Sequence, residues 1–177
     1  VLRSPLAGSV VAVHASVGLY FTDTPPARTP VMLRLTRQDF TIPAGATRYA
    51  LEDRYVLPVD VDLYTVQPHA HYVAKEIVGE ATRPDGSAVR LLRIGDWDFN
   101  WQDVYRYEQP VFLAAGTAIS MRVLYDNSTS NPRNPHTPPV AVGYGQQTSD
   151  EMAELWFQLL PRRPADRQQL IDSLHRK

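Results

Sequence analysis

Residues 55–66, "YVLPVDVDLYTV", alternate between apolar and polar side chains along their second half. The two alternating sets are Val59, Val61 and Leu63 against Asp60, Asp62 and Tyr64. Successive side chains of a β-strand point to opposite faces, so this pattern is typical of a strand with one face packed and the other in water. The stretch therefore predicts a sheet, not a helix, at this point of the chain.

The segments around this stretch also favour strands joined by turns. Residues 10–21 combine β-branched, aromatic and small side chains without a helical stripe, and residues 31–42 follow a proline-rich connector. Turns are predicted at residues 84–86, "PDG", and at residues 114–116, "AAG". Residues 127–139 are dense in asparagine and proline, which predicts a long loop.

Short strands at this spacing, with 15 prolines and 9 glycines marking the turns, predict an all-β fold. We expect a jelly-roll-like antiparallel β-sandwich over residues 1–161. A C-terminal tail, residues 162–177, should contain a short helix that opens near Pro164. Because the chain begins with Val1 and not with Met, we expect a processed form or an excised domain.

The composition argues against several classes of function. The formal net charge is -1, and acidic and basic residues are mixed along the chain, so we expect no nucleic-acid partner. No apolar run approaches the roughly 20 residues of a membrane helix, so we expect no membrane span. The sequence has no cysteine, which excludes disulfides, thiolate metal sites and thiol catalysis. Any metal site must therefore use histidine, carboxylate or methionine side chains.

Two of the five histidines lie one residue apart in residues 67–75, "QPHAHYVAK". In a strand, His69 and His71 point to the same face with about 6–7 Å between their backbone positions, whereas in a helix they diverge by about 200°. Pro68 and the β-branched residues that follow favour the strand. Two imidazoles on one face can hold a metal ion, although such a pair alone is more often two surface or hydrogen-bonded histidines.

Residues 146–161, "QQTSDEMAELWFQLLP", admit two interpretations. The faces of a strand would be Ala153, Leu155, Phe157 and Leu159 on one side, and Met152, Glu154, Trp156 and Gln158 on the other. As a helix, which the composition also allows, the segment would more often place Met152 in the core. A thioether joined to two imidazoles selects copper, particularly Cu(I), over zinc or magnesium. The donor set therefore predicts copper if Met152 lies beside the histidines.

Six motifs follow one another over residues 42–160, which is most of the chain. They are "IPAGATRYALEDRYVLPVDVDLYTV", "PHAHYVAK", "DFNW", "LAAGT", "YDNSTSNPRNP" and "GQQTSDEM". With these motifs the chain resembles the C-terminal half of the copper type II, ascorbate-dependent monooxygenases, a family that includes the peptidylglycine α-hydroxylating and dopamine β-monooxygenases. It is most similar to bacterial relatives of that domain. The most specific element is H-x-H followed about eighty residues later by D-E-M.

The resemblance implies a jelly-roll domain that binds one copper ion, cycling between Cu(I) and Cu(II). It implies that His69, His71 and Met152 are the three protein ligands of this catalytic copper. Activation of dioxygen and hydroxylation of a C–H bond are the activities expected from the family. Two imidazoles and one weak sulfur donor would leave a coordination position open for dioxygen or solvent. A periplasmic or extracellular location is expected.

The chain departs from the family in its source of electrons. Complete members carry a second copper, held by three histidines of an N-terminal half, which supplies electrons. The remaining histidines of this chain are scattered: His14, His136 and His175. We therefore expect an electron donor outside the chain, either another domain, a partner chain or a small reductant.

A second departure concerns the substrate. Family members that hydroxylate peptides bind the peptide carboxylate through positions that correspond to Gln67, Glu154 and Trp156. A carboxylate at Glu154 would repel a peptide C-terminus, so peptide amidation is not expected. The substrate, a small molecule or a peptide-like compound, stays open.

Other residues are secondary candidates. His136 lies in the predicted long loop and could add a ligand to the copper, although an exposed loop histidine is the commoner situation; Glu154 is a further candidate for such an additional contact. His14 is expected to lie in a strand. In residues 96–101, "DWDFNW", we expect the aromatic side chains to pack in the core and the carboxylates to cap a turn. The sequence contains no nucleophile elbow, P-loop or dinucleotide fingerprint.

Two alternatives to a monooxygenase stay open. The chain could be a copper-binding or sensing module without turnover, since half of the usual redox machinery is missing. It could also be a structural β-sandwich of a secreted multidomain protein in which the H-x-H pair is empty.

Overall fold

Ten strands and one helix form the regular structure of the described residues, His14 and 16–177, in this computed structural model. The strands are β1 Val31–Arg37, β2 Thr41–Ile42, β3 Tyr49–Val56, β4 Val61–His69, β5 Ala74–Thr82, β6 Ala88–Ile94, β7 Tyr105–Leu113, β8 Ala118–Tyr125, β9 Val142–Gly143 and β10 Ala153–Pro161. The helix is α1 Asp166–Leu174. The predicted C-terminal helix therefore begins close to Pro164.

The eight longer strands form two four-stranded antiparallel sheets. The first sheet has the order β1-β10-β4-β7, and the second has the order β3-β8-β5-β6. This order, in which the chain passes repeatedly between the two sheets, is that of a jelly roll. The short strands β2 and β9 pair with each other outside these sheets. The prediction of an all-β, jelly-roll-like sandwich with a short C-terminal helix is confirmed.

The alternation that predicted β4 also describes its burial. Val61 and Leu63 are fully buried in the core, whereas Asp62 and Tyr64 are only partly buried. The two sheets approach closely at Gly79 of β5, because a Cβ built there would lie 2.8 Å from Cδ2 of Leu155 in β10. A larger residue at position 79 would therefore have to displace the Leu155 side chain.

The predicted turns are confirmed, but the first predicted strand is not. Gly86 and Gly116 have φ of 86° and 84°, in the left-handed region that favours glycine, and each lies in a turn between strands. Residues 10–13 and 15 lie outside the described residues. His14 and residues 16–21 are exposed and contain no strand, so this prediction is wrong for the described part. β-forming side chains without a partner strand do not make a sheet.

Helix α1 packs against the first sheet. Its residue Leu170 is fully buried and belongs to the same core as the strands. Among the described residues, no helix has both the length and the apolar character needed to pass through a bilayer.

The long loop between β8 and β9 is held by the buried side chain of Asn127. Its Nδ2 donates to the carbonyl oxygens of Pro43 and Val140 at 3.0 and 2.7 Å. Its Oδ1 accepts from Nδ2 of Asn134 at 2.9 Å. Its backbone N–H donates to the carbonyl oxygen of Ala46 at 2.7 Å. Asn127 therefore joins the loop to the segment between β2 and β3.

Replacing Asn127 by aspartate is expected to lower the free energy of unfolding by about 2–4 kcal/mol, because a buried carboxylate would face two carbonyl oxygens in place of a donor. Urea unfolding measures the change. The matched control is Gln109→Glu, the same amide-to-carboxylate change on an exposed position of β7, which should stay within about 0.5 kcal/mol. Similar losses in both variants would contradict the role given to Asn127.

Candidate metal centre

His69 and His71 lie together where β4 ends. His69 is the last residue of β4, an inner strand of the first sheet, and it is paired with Glu154 of β10. The centroids of the two imidazole rings are 5.3 Å apart, and the ring planes are nearly perpendicular, at 83°. His69 is half-buried and His71 is buried. The fold therefore brings together the two imidazoles that the sequence places one residue apart.

The protonated nitrogen of His69 is fixed by Gln102. Nδ1 of His69 is 2.6 Å from Oε1 of Gln102, and Nε2 of Gln102 donates to the carbonyl oxygen of Phe99 at 2.8 Å. Because the amide nitrogen of Gln102 already donates to that carbonyl, its oxygen faces the imidazole, and Nδ1 of His69 must carry the proton. In the neutral ring, the lone pair that can bind a metal is then on Nε2.

His71 is fixed in the same tautomer by a backbone carbonyl. Its Nδ1 lies 3.0 Å from the carbonyl oxygen of Asp150, which can only accept, so Nδ1 donates and Nε2 keeps its lone pair. Burial lowers the pKa of His71, so the ring stays neutral below the ordinary histidine value of about 6.5. Metal-binding histidines typically donate their second ring N–H in this way, which fixes tautomer and orientation.

Two aromatic residues of the β6–β7 connection contact His71. Nε1 of Trp97 donates to the carbonyl oxygen of His71 at 3.0 Å. The ring of Phe99 meets the ring of His71 edge-on, with centroids 5.6 Å apart. Both aromatic residues are buried, as the sequence predicted, and Asp98 caps a turn by accepting from the backbone N–H of Asn100 at 2.8 Å. The same prediction is wrong for Trp101, which is 72% exposed, and for Asp96, whose carboxylate pairs with Lys75 and Arg133.

Met152 lies on the same face of the first sheet as His69. The strand interpretation of residues 146–161 is confirmed for residues 153–161, where β10 buries alternate residues in the core, but residues 146–152, including Met152, precede the strand. Glu154 is paired with His69, so their side chains share the outer face. Met152 precedes Glu154 by two residues, one position before β10 begins, and the alternation extended by that one residue assigns it to the same face. It is half-buried and is not part of the apolar core.

The backbone of Met152 is also close in space to the backbone of His71. The backbone N–H groups of His71 and Met152 donate to the same oxygen of Glu151, Oε2, at 2.8 and 3.1 Å. The two backbone nitrogens therefore lie no farther apart than the sum of these distances. The segments that carry the histidine pair and the methionine are in direct contact.

Glu154, a candidate for an additional copper contact, has protein partners on both carboxylate oxygens. Oε1 forms an ion pair with Nη2 of Arg34, and Oε2 accepts from Nε1 of Trp156 at 2.9 Å. The guanidinium carbon of Arg34 lies 5.2 Å from the centroid of the Trp156 ring, in a cation–π arrangement. Both carboxylate oxygens of Glu154 are therefore already bonded to protein groups, on a residue that is paired with His69.

His136, the other candidate for an additional ligand, contacts the segment before Met152. Its Nε2 is 3.2 Å from the carbonyl oxygen of Ser149, which can only accept, so this nitrogen carries a proton. Its backbone N–H donates to Oδ1 of Asn134 at 2.9 Å. The bond from His136 holds the loop that precedes Asp150.

Sequence reasoning missed Glu151 and Gln102. The Glu151 side chain is fully buried, and burial raises the pKa of its carboxyl to about 7. A signal for it existed, because Glu151 alternates with Ala153 and Leu155 and so places a carboxylate on the apolar face of the segment. No pattern in the sequence indicated that Gln102, 33 residues after His69, would reach its ring.

The donor set available at this place is two imidazoles and one thioether. Among the described residues, no three histidine, aspartate or glutamate side chains form a group that could hold a metal ion. A site here would therefore need the sulfur of Met152, and two nitrogens with one sulfur suit copper, particularly Cu(I). No known protein-family model matches this chain, and no curated protein matches it. Membership of the copper monooxygenases thus stays a prediction that rests on the motifs.

Proposed function

We propose that this chain is a monocopper monooxygenase-type catalytic domain in which His69, His71 and Met152 hold one copper ion. The observation that carries the proposal is that both imidazoles donate from Nδ1 to protein oxygens. This arrangement leaves Nε2 of each ring as the metal-binding nitrogen, beside a methionine on the same face of the sheet. Metal-binding histidines typically donate their second ring N–H to a protein oxygen in this way, whereas isolated surface histidines do not require such a partner.

The chemistry of the bound copper would be dioxygen activation for the hydroxylation of a C–H bond. The task of the protein is to fix the donors before the metal arrives. Gln102 and the Asp150 carbonyl set the two tautomers, Phe99 packs against the ring of His71, and Trp97 binds its backbone carbonyl. The partial exposure of Met152 leaves the outer face of the sheet open to a substrate.

The neighbouring side chains bear on the class of substrate. Arg34 is paired with Glu154 and stacked on Trp156, so its charge is already compensated. A substrate carboxylate would have to displace Glu154, which does not favour a peptide C-terminus. We propose a small-molecule or peptide-like substrate without a carboxylate at this position, and an electron donor or reductant outside the chain. A periplasmic or extracellular location belongs to the same proposal.

A non-catalytic copper-binding or sensing module is the second candidate. One observation favours it: the histidines other than His69 and His71 are scattered along the sequence, at positions 14, 136 and 175. Such a module would use the same ligands and would have no need of an electron path. The third candidate, a structural sandwich, would bind no copper.

The three candidates differ in copper content and turnover. The protein is loaded with copper, desalted and analysed for metal, and oxygen consumption is then followed with ascorbate and a panel of C–H substrates. We expect one equivalent of copper and substrate-dependent uptake of dioxygen. One equivalent of copper without substrate-dependent uptake of dioxygen would favour the sensing module. A protein that holds no copper after loading would favour the structural sandwich.

A further inference from the structure

We propose that Glu151 is a positioning residue whose buried carboxylate sets the distance between the thioether of Met152 and the two imidazoles. The inference rests on the proposed copper site and adds a residue that does not bind the metal itself. Glu151 belongs to one of the two segments that would supply ligands, residues 150–152, and its side chain reaches the other, residues 69–73.

The carboxylate of Glu151 bonds both segments at once. Oε2 accepts from the backbone N–H groups of His71 at 2.8 Å and of Met152 at 3.1 Å, and Oε1 accepts from the backbone N–H of Val73 at 2.7 Å. The side chain is fully buried. One rigid planar group therefore fixes the backbone of one histidine ligand relative to that of the methionine ligand.

These N–H groups belong to backbone that has left the regular sheet. β4 ends at His69 and β5 starts at Ala74, so His71 and Val73 lie outside both strands. Buried N–H groups without a ladder partner need another acceptor, and a carboxylate accepts strong, short hydrogen bonds from them. Glu151 meets this need from the neighbouring segment and thereby binds the turn to the start of β10.

Other bonds reinforce the same junction. Oη of Tyr125 donates to the carbonyl oxygen of Met152 at 2.7 Å, and Nδ1 of His71 donates to the carbonyl oxygen of Asp150 at 3.0 Å. The backbone N–H of Asp126 donates to the carbonyl oxygen of Val73 at 2.8 Å. The bond from His71 to Asp150 also joins the two segments, but it is a single bond, whereas the carboxylate of Glu151 accepts from three N–H groups.

A carboxylate is a costly way to fill this space. Among the described residues, Glu151 forms no ion pair, so burial of its charge is offset by hydrogen bonds alone. An apolar side chain of similar volume would avoid that cost but would leave the N–H groups of His71, Val73 and Met152 without this acceptor. The carboxylate is therefore the group that serves both segments at once, which fits a role in placing the ligands.

The test compares Glu151→Gln, Glu151→Asp and the control Leu113→Ala. Glutamine keeps one acceptor oxygen but turns an NH2 group toward a backbone N–H. Aspartate keeps the charge and withdraws it by about 1.5 Å. Leu113 is buried opposite Val61, at the other end of β4, about 26 Å along the strand from His69. Its truncation supplies a loss of stability without touching the site.

Each variant is loaded with Cu(I), its affinity is measured by competition with a chromophoric chelator, and copper-edge X-ray absorption reports the sulfur ligand. We expect Glu151→Gln to lower Cu(I) affinity by about 10–100-fold and to weaken the copper–sulfur signal. Glu151→Asp should fall between that variant and the wild type, and Leu113→Ala should match the wild type in both readouts.

Three outcomes would overturn the inference. The first is an unchanged affinity and sulfur signal in Glu151→Gln. The second is an equal change in Leu113→Ala, which would assign the effect to stability alone. The third is a loss of affinity in which the copper–sulfur signal stays intact. If Glu151→Gln does not fold, Glu151→Asp decides by the same criteria. Failure of the proposed function is seen separately, because the wild-type protein would then bind no copper.

Discussion

Replacing His69 by alanine is expected to abolish stoichiometric copper binding while the sandwich stays folded. In the proposed site this histidine supplies one of two nitrogens in a three-donor set, and the remaining imidazole and thioether would not hold the metal against competing ligands. The loss should exceed the roughly 10–100-fold that removal of an outer hydrogen-bond partner produces. Copper per protein after desalting measures the effect. Circular dichroism of the metal-free protein checks the fold, which should survive because His69 is half-buried at a strand end.

Two further variants distinguish a copper ligand from a residue that does not bind copper directly. His175→Ala removes a histidine that is exposed at the end of α1, and it should keep a full equivalent of copper. Gln102→Leu removes the acceptor that fixes the tautomer of His69, and it should weaken binding by about tenfold without abolishing it. A full equivalent of copper in His69→Ala would exclude this site.

The architecture could be predicted because local patterns determine it. The alternation around Val61 and Leu63 places one face of β4 in the core, and the glycines at the turns mark where strands reverse. The segment after Met152 was ambiguous because its residues form helices as well as strands. Pairing of β10 between β1 and β4, a long-range contact, decided for the strand.

The strand predicted over residues 10–21 shows where local patterns fail to predict the structure. Its side chains have strand propensity, yet Tyr20 and Phe21 are almost fully exposed in the structure. Propensity alone does not create a strand, because the backbone N–H and C=O groups need a partner at a sheet edge. Composition cannot reveal whether such a partner exists.

The candidate ligands were found in the sequence, but their supporting residues were not. His69 and His71 are adjacent along the chain, and their shared face follows from strand geometry. The acceptor for His69 comes from Gln102 in the connection after β6, and the acceptor for His71 is the backbone carbonyl of Asp150, some eighty residues away. A backbone carbonyl has no sequence signature, and a lone glutamine in a loop has none either. Such contacts appear only when the chain is folded.

Replacing Met152 by alanine is expected to weaken Cu(I) binding by more than 100-fold and Cu(II) binding by much less. The thioether is a soft donor that prefers Cu(I), whereas Cu(II) depends mainly on the imidazoles. Competition with chelators specific for each oxidation state measures the two affinities. Met152→Leu is the matched variant, because it removes the sulfur and keeps the volume of the side chain.

The pair of variants distinguishes a sulfur ligand from a packing residue. If Met152 binds copper, leucine and alanine should lose Cu(I) to a similar degree, since neither carries a donor. If Met152 only fills space at the start of β10, leucine should retain the affinity and alanine should lose stability in the metal-free protein as well. Equal losses of Cu(I) and Cu(II) in both variants would also count against the thioether, because a soft donor must discriminate between the two oxidation states. The selectivity of the loss, more than its size, therefore decides whether the methionine belongs to the metal centre.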